Sequence, residues 1–253
     1  HIKQVFCLKR FASNRLTLKM NKAIFITSRA NSTRLPDKWK LEFAGQSTLG
    51  FLIDQTKKSI NANKIVLCTS DHPSSDELAL IAQNKNILCF RGSENDKLDR
   101  WNRACQKYEI DFFVTVDGDD LFCEMSLVDL AFSQFDKNNS DFIRSKNIIC
   151  GAFTYGIKSS ILNNVCNIKD SSDTEMIEGY FIDSNLCKVE ELEHVHPNYK
   201  REDIRMTLDY EDDYLFFKNV YNGINKNVNL QNIISYIDKN PKVKLLNLFR
   251  QQE

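Results

Sequence analysis

The sequence has no surplus of either charge, no paired cysteines at metal-finger spacing, and no apolar run long enough to cross a bilayer. Its 34 basic and 34 acidic residues cancel to a formal net charge of +0. A balanced chain gives no general reason to expect nucleic acid or an anionic membrane as partner. Local clusters of charge can still bind a small anion. Cys7, Cys68, Cys89, Cys105, Cys123, Cys150, Cys166 and Cys187 form no CxxC pair, so a zinc site of the usual spacing is not expected. Several lie in apolar runs such as Val66-Leu67-Cys68, where a reduced thiol acts as a small hydrophobe. With no secretion signal, this usage predicts a reducing, cytoplasmic setting. No repeat, low-complexity stretch or linker divides the chain. Its 253 residues therefore predict one domain with a sizeable core and an insert near 145–200. Residues 1–19 hold Lys3, Lys9, Arg10, Arg15 and Lys19 and no acid; they are read as an extension outside a core that spans 20–253.

What the sequence does contain is an alternation of strand-like and helix-like segments. Short apolar, β-branched runs at 23–27, 64–69, 86–90 and 111–116 predict strands. Helical spacing of apolar residues predicts helices at 48–59, 75–84 and 96–108. The strands lack clean two-residue alternation, which points to a mostly parallel, Rossmann-like α/β sheet covered on both faces. The second half is less regular. Strands are expected at 140–145 and 151–157, a helix at 173–181, extended chain at 188–192 and 204–208, and helices at 210–222 and 229–240. No element is assigned to 121–139.

Ligands of such sheets bind at the carboxyl ends of the strands, which selects the loops after Thr27, Thr69 and Val116. The first, residues 28–38, carries Arg29, Arg34 and Lys38 among small polar residues including Ser32. Backbone N–H groups, hydroxyls and cations of this kind make an anion site; charge alone equally allows a solvated loop. It is not a Walker A loop, because the glycines are missing. The third loop packs Asp117, Asp119 and Asp120 onto the end of a buried strand. Such crowding suits Mg²⁺, which takes one or two carboxylates plus substrate phosphates; an acidic turn capping the next helix fits as well. Downstream, Asp209 ends an extended run and is a candidate ligand, while Asp213 is expected to cap the following helix.

Together these segments resemble known enzymes. The stretch TSRANSTRLPDK resembles the opening motif of cytidylyltransferases that make CMP-activated acidic sugars, closest to the spore coat polysaccharide biosynthesis protein F group. FRGSENDKLDRW, VDGDDLF and RMTLDYEDD resemble three further motifs of that group, in the same order. The resemblance implies a glycosyltransferase-A-like nucleotidyltransferase fold and transfer of CMP from CTP to a sialic- or ulosonic-type acid. It implies Arg29, Ser32, Arg34, Lys38, Asp99, Arg100 and Asp117 as nucleotide-binding residues, with Arg29 and Lys38 acting in catalysis. Asp119 and Asp209 are the implied Mg²⁺ ligands. Relatives are commonly homodimers. Two positions depart from the family pattern: Asp37 stands where glycine is usual, and Leu121 where proline is.

Acceptor binding is assigned to Arg205, which alternation places on one face with Thr207 and Asp209, and to Glu175, near a capped helix start where the resemblance implies an acidic helix beside the acceptor site. Lys158, Lys200 and Arg201 read as solvated charges, His194 and His196 as exposed loop residues, and Trp101 as packing. A phosphonate acceptor, a sugar-1-phosphate nucleotidyltransferase and a catalytically silent nucleotide-binding module are the alternatives.

Overall fold

The computed structural model describes residues 20–252; the extension expected at 1–19 lies outside the described residues. The chain runs β1 (Lys22–Thr27), β2 (Glu42–Phe43), β3 (Gln46–Ser47), α1 (Thr48–Thr56), β4 (Lys64–Ser70), α2 (Asp76–Asn84), β5 (Leu88–Gly92), α3 (Lys97–Tyr108) and β6 (Phe112–Asp117). It continues with α4 (Met125–Asn138), β7 (Phe142–Arg144), β8 (Gly156–Lys158), α5 (Ser159–Ile168), α6 (Glu178–Ile182), β9 (Val189–Glu191), α7 (Glu211–Gly223) and α8 (Leu230–Lys239). One seven-stranded sheet has the order β5-β4-β1-β6-β8-β7-β9, and β2 and β3 form a separate two-stranded ribbon. Only β8 runs against its neighbours, pairing antiparallel with both β6 and β7. The sheet is therefore mostly parallel, as the sequence predicts.

Why the strands lack alternation is visible in their two faces. Ile24 and Ile26 of β1, with Phe112, Val114 and Val116 of β6, face one core under α1, α4, α7 and α8. Ala23, Phe25 and Phe113 face the other, under α3, α5 and α6. The apolar run is nearly continuous because both faces are dry. Residues 145–200 add β8, α5, α6 and β9 to the same sheet rather than forming a separate layer. Among the described residues no helix is long and apolar enough to cross a membrane.

Several elements differ from the sequence reading. The unassigned stretch holds α4, whose N-cap is Glu124, outside the usual Ser, Thr, Asp and Asn set. Helix α5 has no side-chain cap and is rich in Asn and β-branched residues, which are weak helix formers. The strand expected at 151–157 pairs only from Gly156 onward. The helix expected at 173–181 shortens to Glu178–Ile182, because Thr174 is tied to α3: its N–H donates to the Asn95 carbonyl at 3.2 Å and its hydroxyl to Asp96 Oδ1 at 3.0 Å. Residues 204–208 are not in a sheet. They form a strap held by one bridge between Cys150 and Arg205, by Met206 N–H on the Cys150 carbonyl (2.9 Å), and by Leu208 N–H on the Asp119 carbonyl (2.9 Å).

Candidate active site

The ends of β1 and β6 lie side by side, and their loops are pressed together by a glycine. Gly118 donates its N–H to the Thr27 carbonyl at 2.7 Å, and a Cβ built on Gly118 would stand 2.7 Å from Ser28 Cβ. Only a residue without a side chain allows that approach. Thr27 is fixed from the other side by the Trp101 indole N–H, at 2.9 Å from its hydroxyl. Trp101 thus does more than pack.

Residues 28–34 arch over this junction, and the chain returns through a 3-10 turn at Lys38–Lys40 whose middle residue, Trp39, is buried in the core. The Thr48 hydroxyl donates to the Lys38 carbonyl. With its backbone pinned at both points, Lys38 reaches inward. Its Nζ lies 2.7 Å from Asp119 Oδ2 and 3.0 Å from Asp209 Oδ1. The two aspartates are 90 positions apart in sequence, yet the Leu208–Asp119 backbone bond places them on one ammonium.

A cleft of about 240 Å³ opens here, lined by Ser28, Arg29, Asn31, Ser32, Thr33, Arg34, Lys38, Lys97, Asp117, Asp119 and Glu175. Each of its cations has an acidic partner, although Asp209 itself does not line the cleft. Arg29 contacts Glu175 at 3.0 Å, Arg34 contacts Asp209 at 3.0 Å, and Lys97 contacts Asp117 at 3.3 Å. Burial opposes the charge on Lys38, but Asp119 and Asp209 outweigh it and hold the ammonium above its ordinary pKa. Burial likewise opposes charge on Asp209, yet Lys38, Arg34 and Arg205 keep its carboxyl below the usual range. Asp119 is pushed up by burial and by Asp117, with Lys38 pulling against them. Asp120 is buried and does not face the cleft. Burial, then Asp119 and Asp117, push its carboxyl well above the usual range, while a hydrogen bond with Thr207 pulls it back.

Several residues singled out in the sequence sit elsewhere. Asp99 and Arg100 do not line the cleft. The Asp99 carboxylate faces Arg103 along α3 at 3.8 Å, and Arg100 is fully buried, donating to the carbonyls of Ser93 and Glu94. Arg100 therefore shapes the 93–95 loop, on whose Glu94 carbonyl Arg29 also rests, at 3.2 Å. Arg205 is not open to an acceptor. It is buried, with Nε 3.1 Å from Asp213 and one terminal nitrogen 3.0 Å from Asp209. Glu175 does line the cleft, but it lies against the Arg29 loop. Asp213 caps α7 by reaching back from its third residue, accepting the N–H groups of Asp209 and Tyr210 at 2.9 Å each. Lys97 was missed: in sequence it is one cation in a run of mixed charges. Its place as first residue of the helix after β5, at the ligand-binding edge, was the available signal.

The unusual Asp37 has a local explanation. Its backbone is left-handed, with φ 54° and ψ 24°, a conformation that favours glycine and that Asp tolerates better than most residues. Its carboxylate pairs with Lys40 at 2.8 Å, both about half exposed. The added charge thus points to solvent, where such a pair contributes little.

Oxygen-only ligands and two acids around one cation suit Mg²⁺, with the Lys38 ammonium standing where a cation belongs between Asp119 and Asp209. Among the described residues no group of three or more His, Cys, Asp and Glu side chains could enclose a metal alone. Phosphate and water oxygens would complete such a coordination shell.

The sequence profile of the family described as Cytidylyltransferase matches residues 23–253. The chain belongs to the cytidylyltransferase family. This cytidylyltransferase is 31% identical over 229 residues to an uncharacterized protein of Methanocaldococcus jannaschii, covering 88% of this chain and 92% of that one. It is 25% identical over 232 residues to the spore coat polysaccharide biosynthesis protein SpsF of Bacillus subtilis, covering 88% and 96%. The solved structure of a cytidylyltransferase from Leptospira borgpetersenii superposes with a TM-score of 0.81 at 26% identity, covering 88% of this chain and 96% of that one.

Proposed function

We propose that this cytidylyltransferase transfers CMP from CTP to an oxygen of an acidic sugar, with Mg²⁺ held by Asp119 and Asp209, and releases pyrophosphate. The observation that carries the reading is the single Lys38 ammonium shared by those two carboxylates, with Lys38 and Asp119 lining a polar cleft. An acceptor oxygen attacks the α-phosphorus of CTP, the bond to the bridging oxygen of pyrophosphate breaks, and the acceptor proton passes to solvent. Such chemistry asks the protein mainly for alignment and charge neutralisation. Arg29, Arg34, Lys38 and Lys97 line the cleft and supply cations for a triphosphate that carries several negative charges. Lys38 and Arg29 stabilise the charge that builds on the departing pyrophosphate. Mg²⁺, when bound, adds positive charge at the reacting oxygens and lowers the pKa of the attacking one.

Each cation already has an acidic partner, so the nucleotide enters by exchange. Phosphate oxygens would take the cations, and the carboxylates of Asp119 and Asp209, released from Lys38, would hold Mg²⁺. The polysaccharide role in the name of the Bacillus subtilis relative supports a sugar acceptor. The Asp37 carboxylate turns outward to Lys40 and so keeps its charge off the phosphate-facing side of the loop, which supports triphosphate binding. The test is pyrophosphate release in Mg²⁺ with CTP, UTP or dTTP against a panel of acidic sugars, phosphonates and sugar 1-phosphates. Release is expected with CTP and an acidic sugar, at least about tenfold faster than with UTP, a difference of about 1.4 kcal/mol. Release only with sugar 1-phosphates, or without preference for CTP, overturns the reading.

A further inference from the structure

The strap, with Asp209 that follows it, is gripped by the C-terminal segment. Asn247 lies between the 3-10 turns at Lys244–Leu246 and Leu248–Gln252 and is fully buried. Its Nδ2 donates to Asp213 Oδ1 at 2.9 Å and to the Arg205 carbonyl at 3.1 Å. Asp213 accepts the Asp209 N–H at 2.9 Å and Arg205 Nε at 3.1 Å. Arg205 in turn donates to Asp209 Oδ2 at 3.0 Å. Asp209 is thus held at its backbone and at one carboxylate oxygen. Its other oxygen, Oδ1, is the one shared by Lys38 and Arg34.

A second contact from the same segment points the same way. Arg250 lies 4.3 Å over the Tyr210 ring and pairs with Asp212 at 3.0 Å, and Arg34 of the cleft lies 5.7 Å from the same ring. Among the described residues Asn247 Oδ1 has no hydrogen-bond partner. The two placed donors are what the amide provides.

We infer that Asn247 is a positioning residue for Asp209, acting through Asp213 and Arg205, so that the C-terminal segment is part of the cation-binding apparatus. The inference rests on the reading of Asp209 as an Mg²⁺ ligand. Without the Asn247 donor, Asp213 Oδ1 keeps only Arg205 Nε, so the Asp213–Arg205 pair shifts on its remaining anchors and draws Asp209 Oδ1 from its place on Lys38. Groups that orient a metal ligand from behind typically change affinity by about 10–100-fold.

The test measures Mn²⁺ affinity in the presence of CTP, by electron paramagnetic resonance of unbound Mn²⁺, with full-length protein. The variants are Asn247→Leu, Asn247→Ser, Asp213→Asn, the double Asn247→Leu/Asp213→Asn, and Val165→Ala. Val165 is buried on the opposite face of the sheet, so its variant controls for lost stability. Asn247→Leu is expected to weaken Mn²⁺ binding about tenfold or more, and Asn247→Ser, which keeps one donor and is the fallback if the leucine variant does not fold, to weaken it less. The double variant should bind no worse than Asp213→Asn, because the two act in series. Val165→Ala should lower the melting temperature and leave Mn²⁺ affinity unchanged. Wild-type affinity in the Asn247 variants, or additive losses in the double variant, overturns the inference alone. Absence of Mn²⁺ binding by the wild type overturns the reading of the site, and the inference with it.

Discussion

Asp119→Ala is expected to abolish CTP-dependent pyrophosphate release while the protein still folds. The Asp119 carboxylate is disfavoured where it stands: burial and Asp117 both raise its pKa, and Lys38 supplies the compensation. Removing it relieves repulsion that also acts on buried Asp120. Lys38 retains Asp209 as a partner at 3.0 Å, so its charge is not abandoned. Little stability should therefore be lost. The rate should fall by at least roughly 10²–10³-fold, the usual loss when one preorganised charge contact at a reacting group is deleted. A pyrophosphate assay read beside a thermal melt checks both halves. Retained Mg²⁺-dependent turnover in a folded variant removes Asp119 from the metal site.

Gly151→Ala should damage the fold itself. Gly151 has φ 81°, and a Cβ there would sit 2.0 Å from the Met206 carbonyl oxygen and 3.0 Å from Asp120 Oδ1. The obstacle is backbone, which cannot rotate aside. Left-handed backbone costs an alanine about 1–2 kcal/mol, and forced overpacking adds about 1–3 kcal/mol. A total near 3 kcal/mol lowers the melting temperature of a chain this size by about 6–12 °C. Met206 belongs to the strap that brings Leu208 onto the Asp119 carbonyl, so activity should fall along with stability. An unchanged melting temperature would mean that the strap does not pack on Gly151 as described.

The sheet was legible because its central strands are short and buried on both faces, and the run from Phe112 to Val116 leaves no other reading. The ligand edge was legible for the same reason: where the apolar run stops, Asp117 begins. What the sequence hid depends on side-chain direction. Asp99 and Arg100 look alike as polar residues of one motif, but helical geometry sends one outward along α3 and the other beneath the 93–95 loop. Arg205 shares a face with Asp209, and that proximity engages it with Asp209 and Asp213 instead of leaving it open to an acceptor. Asp37 breaks the family pattern in sequence, yet the φ of 54° shows that glycine is favoured there for its backbone. Asn247 carries no signal in sequence, since its partners at Arg205 and Asp213 are set by tertiary packing alone.

The most direct measurement is a crystal structure with CTP and Mn²⁺, read by anomalous difference density at the manganese edge. We expect a manganese peak in contact with both Asp119 and Asp209, and the Lys38 ammonium moved from that pair onto phosphate oxygen. A peak that touches neither aspartate, or a bound nucleotide beside a Lys38 that still bridges the two, contradicts the account.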